Sequence, residues 1–220
     1  MARRPETRGA GRGRARGSEA AASPEEEGAL SETPTVYFSV DVEASGPFPP
    51  EFNLVSIGAV EVRSSGGEHR LGREFYVELK PIFPGFRAES MAVHGIAREH
   101  LETKGADARE AMEAFAAWTR SCLQPGEAPV FVGHNAVFDW AYINYYFQHF
   151  GMENVFGYKA LDSKSLAVGV LGISWWDANK DFLLTRIPGL VGIAPEEAHN
   201  ALHDARFQAR ILAALLDWKR

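Results

Sequence analysis

Cysteine is almost missing from this chain. Cys122 is the only one in 220 residues, which excludes an intrachain disulfide and points to a reducing compartment. It falls on the apolar face of a predicted helix and is read as core, not as a nucleophile. No apolar run approaches the roughly 20 residues of a membrane-spanning helix, so no membrane partner is expected. The Arg-rich start leads into no apolar segment, which argues against a secretory signal. Glu25, Glu26 and Glu27 argue against a transit peptide, leaving a cytoplasmic location as the expectation. Residues 1–33 lack aromatic and nearly lack large aliphatic side chains. Such a segment cannot bury enough surface to offset its ordering entropy, so it is expected to be a disordered tail rich in Arg, Gly, Ala and Glu. Residues 34–220 then form a single folded domain.

Net positive charge is missing too, because the chain carries −6. Residues 1–17 hold six arginines against Glu6, a net of +5, so the remainder carries −11. That balance excludes a protein coating duplex nucleic acid through a broad basic face. It does not exclude a nucleic-acid substrate, since bound metal ions bring their own positive charge.

What is present is a patterned globular sequence. In Val36-Tyr37-Phe38-Ser39-Val40-Asp41-Val42, alternation puts the valines and Phe38 on one strand face. Ser39, Asp41 and Glu43 share the other face. Leu54 to Val62 reads as a strand buried on both faces. Ser64 to Gly67 supplies a hairpin turn into a third strand over residues 71–80, with Phe75, Val77 and Leu79 alternating. A helical face follows through Ala108, Ala111, Met112, Phe115, Trp118 and Cys122. Pro129 to Gly133 is a short buried strand. A helix from about Ala136 to Phe150 comes next, with Asn135 its predicted N-cap and Gly151 its stop. A last helix, about Ala201 to Trp218, packs through Leu202, Ala205, Ala209, Leu212 and Leu216. Strands followed by alternating helix and strand define an α/β fold, a mixed sheet flanked by helices.

Asp41, Glu43, Asp139 and Asp204 each sit in an otherwise apolar stretch, where an unpaired carboxylate is costly. Two unit charges about 4 Å apart repel by roughly 4 kcal/mol at an effective dielectric near 20. Four gathered carboxylates would strain a domain stable by only about 5–15 kcal/mol, which argues against a purely structural role if they converge. The other reading is that they never meet and are separate surface acids. Gathered, they form an all-oxygen cage for hard divalent ions such as Mg²⁺ or Mn²⁺. His199, five positions before Asp204, adds a group able to take a proton from water. Five residues at 100° each leave about 140° between the two, so His199 must precede the regular helix if both face one site.

With those residues in place, the chain resembles the DEDDh 3′→5′ exonucleases, the group that includes the proofreading epsilon subunit of bacterial DNA polymerase III and ribonuclease T. The first motif reads Phe38-Ser39-Val40-Asp41-Val42-Glu43-Ala44-Ser45-Gly46, followed by Val55-Ser56-Ile57-Gly58-Ala59-Val60. The second reads Val132-Gly133-His134-Asn135-Ala136-Val137-Phe138-Asp139, and the third His199-Asn200-Ala201-Leu202-His203-Asp204-Ala205. Val93-His94-Gly95-Ile96 looks like the family's substrate-side loop, and Leu161-Asp162-Ser163 like its strand-end Asp-Ser.

The resemblance implies a ribonuclease H-like fold and a two-metal mechanism. Asp41, Glu43, Asp139 and Asp204 would be the ligands and His199 the general base. It also implies a substrate of single-stranded DNA or RNA 3′ ends, released as nucleoside 5′-monophosphates. Substrate-side positions fall at Ala44, Ser45, His94 and Asn135, with Ala44 standing where the family often has threonine. A catalytically idle nucleic-acid-binding module on the same fold is the alternative. A third reading is an acidic partner-binding domain that works through its Arg-rich tail. The sequence names neither a polymerase partner nor a homo-oligomer. His134 is read as bracing a strand end and His203 as facing away from the metals. Ile173 to Lys180 does not match the helix usual before the third motif. Burial is the commoner fate of tryptophan and is expected for Trp175 and Trp176, with base stacking as the other option.

Overall fold

In the computed structural model, which describes residues 33–194 and 198–219, the strand-forming valines of the first motif open the sheet. β1 runs Thr35–Ala44, β2 Leu54–Ser65, β3 Glu68–Glu78, β4 Ala128–Gly133 and β5 Ala160–Asp162. Their order is β3-β2-β1-β4-β5. The β3–β2–β1 pairs are antiparallel, whereas β4 and β5 join β1 in parallel. The predicted tail, residues 1–33, lies outside the described residues except for Thr33.

Seven helices complete the described residues: α1 Ala88–His94, α2 Arg98–Lys104, α3 Ala108–Cys122, α4 Val137–His149, α5 Ser163–Leu171, α6 Lys180–Arg186 and α7 Ala201–Leu216. One sheet face meets α3 and α4 over a core of Phe38, Val40, Ile57, Phe115, Phe131, Tyr142 and Phe147. Full burial of each such side chain stabilises the fold by about 1.5–3 kcal/mol. The opposite face meets α7 through Val60, Val62, Val132, Ala205, Ala209 and Leu212. The alternation of β1 holds: Val36, Phe38, Val40 and Val42 enter the first core, and Ser39 donates to the Ala205 carbonyl of α7 at 3.0 Å. Cys122 is buried and free.

Three expectations need correction. Asn135 is not the N-cap of α4, because that helix starts at Val137 behind Ala136. Asn135 instead takes a left-handed φ of 69°. β3 ends at Glu78, and Leu79 leaves the ladder to form an isolated bridge with Ala106. Trp175 and Trp176 are not packed away: they are 42% and 81% exposed.

One glycine decides how the two halves meet. Gly58 is paired with Asp41 across the β1–β2 ladder, on the α7 face. A Cβ there would stand 2.1 Å from the carbonyl carbon of Ala201, the first residue of α7. Only hydrogen at this position lets the start of α7 press against the sheet beside Asp41.

Candidate active site

Asp41 and Glu43 reach the site from the end of β1, and Asp204 from the first turn of α7. Asn200 caps that helix, accepting from the Leu202 and His203 N–H groups at 3.1 and 3.3 Å. The ligand oxygens of Asp41, Glu43 and Asp204 all lie within 4.8 Å of one another. Asp139, in the first turn of α4, lies outside this tight trio but lines the same cavity of about 730 Å³. One of its oxygens accepts from the Val42 N–H at 3.0 Å, tying the start of α4 to β1 between the two motif-I acids.

Crowding shows in the acidities. Burial, then the neighbouring Asp139, raises Asp41 well above the usual carboxylate range, with Lys180 opposing. Burial followed by Asp204 and Asp139 pushes Glu43 up to about 8. Burial drives Asp139 up to about 7 against the Val42 hydrogen bond. These are groups short of positive charge.

His199 precedes α7 in a turn, with φ 62°. Its N–H donates to Asp204 at 2.9 Å, while its exposed ring lines the cavity. Asn135 and His199 are the two non-glycine residues with positive φ among the described residues, and both border this cavity. Backbone held in that sparsely populated region is typical of functional sites.

Two further residues shape the site that sequence reasoning missed. Lys180, at the start of α6, ion-pairs with Asp204 and stands 3.9 Å from Asp41. Burial alone would lower its pKa, but Asp41 and Asp204 outweigh that and raise it. Nothing in its surrounding sequence repeats, so no pattern places Lys180 among the acids. Gln208 is 1% exposed. It donates to Asp41 and accepts from the His134 N–H at 3.1 Å. The available signal was its i+4 spacing from Asp204, which puts a second polar group on the buried face of α7.

The substrate-side positions separate. Asn135 lines the cavity, and its N–H donates to Asp162 at 2.7 Å. The same carboxylate caps α5 by accepting from Lys164 and Ser165 N–H groups, so the strand-end Asp162 fixes the second-motif loop. Ser45 does not face the cleft. It is fully buried, donating to the Gly85 carbonyl at 2.7 Å and accepting from the Asn53 N–H at 2.8 Å. Ala44 is likewise buried in the apolar core. His94 lies outside the cavity lining and accepts from the Ile96 N–H at 3.1 Å. Its Nε2 is buried without a hydrogen-bond partner among the described residues. Burial holds His134 down to about 4, and its Nδ1 lies 3.0 Å from the Ser163 hydroxyl. His203 borders a separate hollow with Arg206 and Arg210.

The donor set fits hard divalent ions, being oxygen only, largely withdrawn from water and short of positive charge. The Lys180 ammonium marks where a cation is favourable.

A fold presenting these acids from one strand end and two helix starts has counterparts. Residues 38–212 match the family model described as Exonuclease, of ribonuclease T type. The chain is 40% identical over 179 residues to the 3′-5′ DNA exonuclease Cap18 of Escherichia coli, covering 80% of this chain and 89% of the relative. It is 26% identical over 179 residues to the PolC-type DNA polymerase III of Thermotoga maritima, covering 81% of this chain but 12% of that polymerase. Among solved structures, the nuclease domain of 3′hExo, a DEDDh family member bound to rAMP, superposes with a TM-score of 0.69 at 13% identity. That match covers 86% of this chain and 94% of the other. Escherichia coli exonuclease I with single-stranded DNA gives 0.57 at 20% identity, covering 82% and 40%. The chain belongs to the exonuclease family of ribonuclease T type.

Proposed function

We propose that this exonuclease removes nucleotides one at a time from single-stranded 3′ ends, using two divalent ions, Mg²⁺ or Mn²⁺, and releasing nucleoside 5′-monophosphates. The observation that carries the reading is the trio of half-buried Asp41 with buried Glu43 and Asp204, within 4.8 Å of one another and facing a cavity that His199 and Asp139 also line. Bound divalent ions would activate the nucleophile and neutralise charge on the phosphate and leaving oxygen.

The chain's own residues have separable tasks. Asp41, Glu43, Asp139 and Asp204 hold the cations. Gln208 fixes the Asp41 carboxylate, and the His199 N–H fixes that of Asp204. The His199 ring takes the proton from the attacking water, which its exposed place at the cavity mouth permits. Asn135, held by Asp162, is positioned to meet the terminal nucleotide. DNA is the favoured polymer, supported by the 40% identical relative named as a DNA exonuclease.

The test is a side-by-side digestion of 5′-labelled single-stranded DNA and RNA of one sequence, with a closed circular single strand beside them. Stepwise shortening of the linear DNA, slower loss of RNA and survival of the circle are expected. Loss of the circle would mean internal cleavage and overturn the reading. Faster loss of RNA would reverse the polymer preference.

A further inference from the structure

The loop joining α5 to α6 carries a feature that the chemistry above leaves unused. Trp175 lines the same cavity as the carboxylates, and Trp176 beside it is 81% exposed. The two rings stand edge to face, with centroids 5.4 Å apart and planes at 88°. The Lys164 ammonium lies 3.6 Å from the centre of the Trp175 ring and lines the cavity too. Leaving so large an apolar surface in water without a partner is unfavourable, and indole in such places is characteristic of binding surfaces.

The loop is held in shape. Trp176 N–H donates to the Ser174 hydroxyl at 3.2 Å, and Asp177 N–H to the Ser174 carbonyl at 3.1 Å. Four positions beyond Trp176, Lys180 is locked to Asp204. The tryptophan pair is therefore anchored to the wall of the reaction centre.

We infer that Trp175 and Trp176, with Lys164, form a stacking platform for the bases of a single strand whose 3′ end lies at the acidic cluster. This inference rests on the nuclease reading above. Trp176 offers an open ring face to a base. Trp175, braced by Lys164, forms the adjoining wall. The Lys164 ammonium supplies a positive charge beside the path of the phosphates. The combination of aromatic faces and a neighbouring cation is the general means of holding single strands without reading their sequence. In this chain it also offsets an acidic body that would otherwise repel the backbone.

The test measures binding of the full chain, with magnesium, to two fluorescently labelled single strands of equal length and charge. One carries thymine bases and the other lacks bases, and both end in phosphorothioate linkages that resist cleavage. The parent should bind the base-bearing strand at least ~5-fold more tightly, the lower end of the stacking range. Trp176→Ala should lose that preference while binding the baseless strand as the parent does, and Trp176→Phe should keep most of it. Tryptophan emission should fall on adding the base-bearing strand only. Trp176 is too exposed for the alanine variant to unfold the domain, which its melting temperature checks. Equal binding of both strands by the parent, no binding of either, or an unchanged preference in Trp176→Ala overturns the platform. Release of mononucleotides from unprotected 3′ ends is followed separately. Base-dependent binding without release leaves the platform and removes the nuclease reading. Release with base-independent binding removes the platform alone.

Discussion

Charge on single residues sets what this site does before any ion binds. Glu43 titrates at about 8 in the folded chain against 4.5 ordinarily, because burial and then Asp204 and Asp139 disfavour its anion. A raised carboxylate pKa means that the folded state holds its proton longer than the unfolded state does. Its contribution to stability is complete below about 4.5 and is lost as pH rises towards about 8. Glu43→Gln keeps the shape and removes the titration. With chelator present, the parent's melting temperature should therefore fall relative to that of Glu43→Gln across this window, and magnesium should shrink the difference. A difference that does not vary with pH would mean that the carboxylate is not strained. His199 makes the complementary case. His199→Ala should lose about 10²–10⁴-fold in turnover, the usual range for a general base. Magnesium binding followed by calorimetry should persist, since the acids remain. Loss of that binding would make the histidine a ligand. Lys180 shows where residue-level reading stops short. Replacing it with methionine should lower the apo-protein's stability by about 1–3 kcal/mol, as expected when charged acceptors lose a partner. The same variant should bind magnesium more tightly, because ion and ammonium compete for one set of oxygens. Weaker magnesium binding would show that they do not compete.

Elements carry the residues to their places, and here Gly58 is decisive. Gly58→Ala would drive a methyl group into the Ala201 backbone, where no side chain can swing aside. It should cost at least the ~1–3 kcal/mol typical of overpacking, read by urea unfolding, and should reduce activity further by lifting Asp204 from Asp41. Normal stability with full activity would mean that α7 has room to retreat. Much of this architecture was legible beforehand. Period-two alternation put Ser39, Asp41 and Glu43 on one face of β1, and unbroken hydrophobicity marked β2 as covered on both sides. The apolar spacing of α7 named its packing face. The seven-residue helices α1, α2 and α6 escaped notice because each buries at most one side chain, leaving no periodicity to read. Asn135 looked like a helix cap because asparagine is common in both roles, and only backbone geometry distinguishes a left-handed bend from a cap. Trp175 and Trp176 looked like core because burial depends on neighbours that local sequence does not name. Ser45 looked like a substrate contact until the Gly85 carbonyl and the Asn53 amide were seen to engage it.

At the scale of the molecule, the acidic body and the basic first residues pull in opposite directions. If residues 34–220 are the catalytic unit, a chain lacking residues 1–33 should keep its turnover on short oligomers. Loss of turnover would make the Arg-rich segment part of the enzyme. No helix among the described residues is long and apolar enough to cross a membrane. The site itself is stitched from distant parts of the chain, for the hydrogen bond from Gln208 to Asp41 joins positions 167 apart. Until α7 docks, β1 displays two acids with nothing to share them. A cation held between β1 and α7, as proposed, would therefore act as a removable clasp on a very long loop, favouring the closed chain in proportion to its affinity. Amide protons of α7 should exchange more slowly when magnesium is added, and proteolysis near residue 200 should slow with them. With the proposed ions, the enzyme's readiness to cut and its resistance to being cut would be governed together.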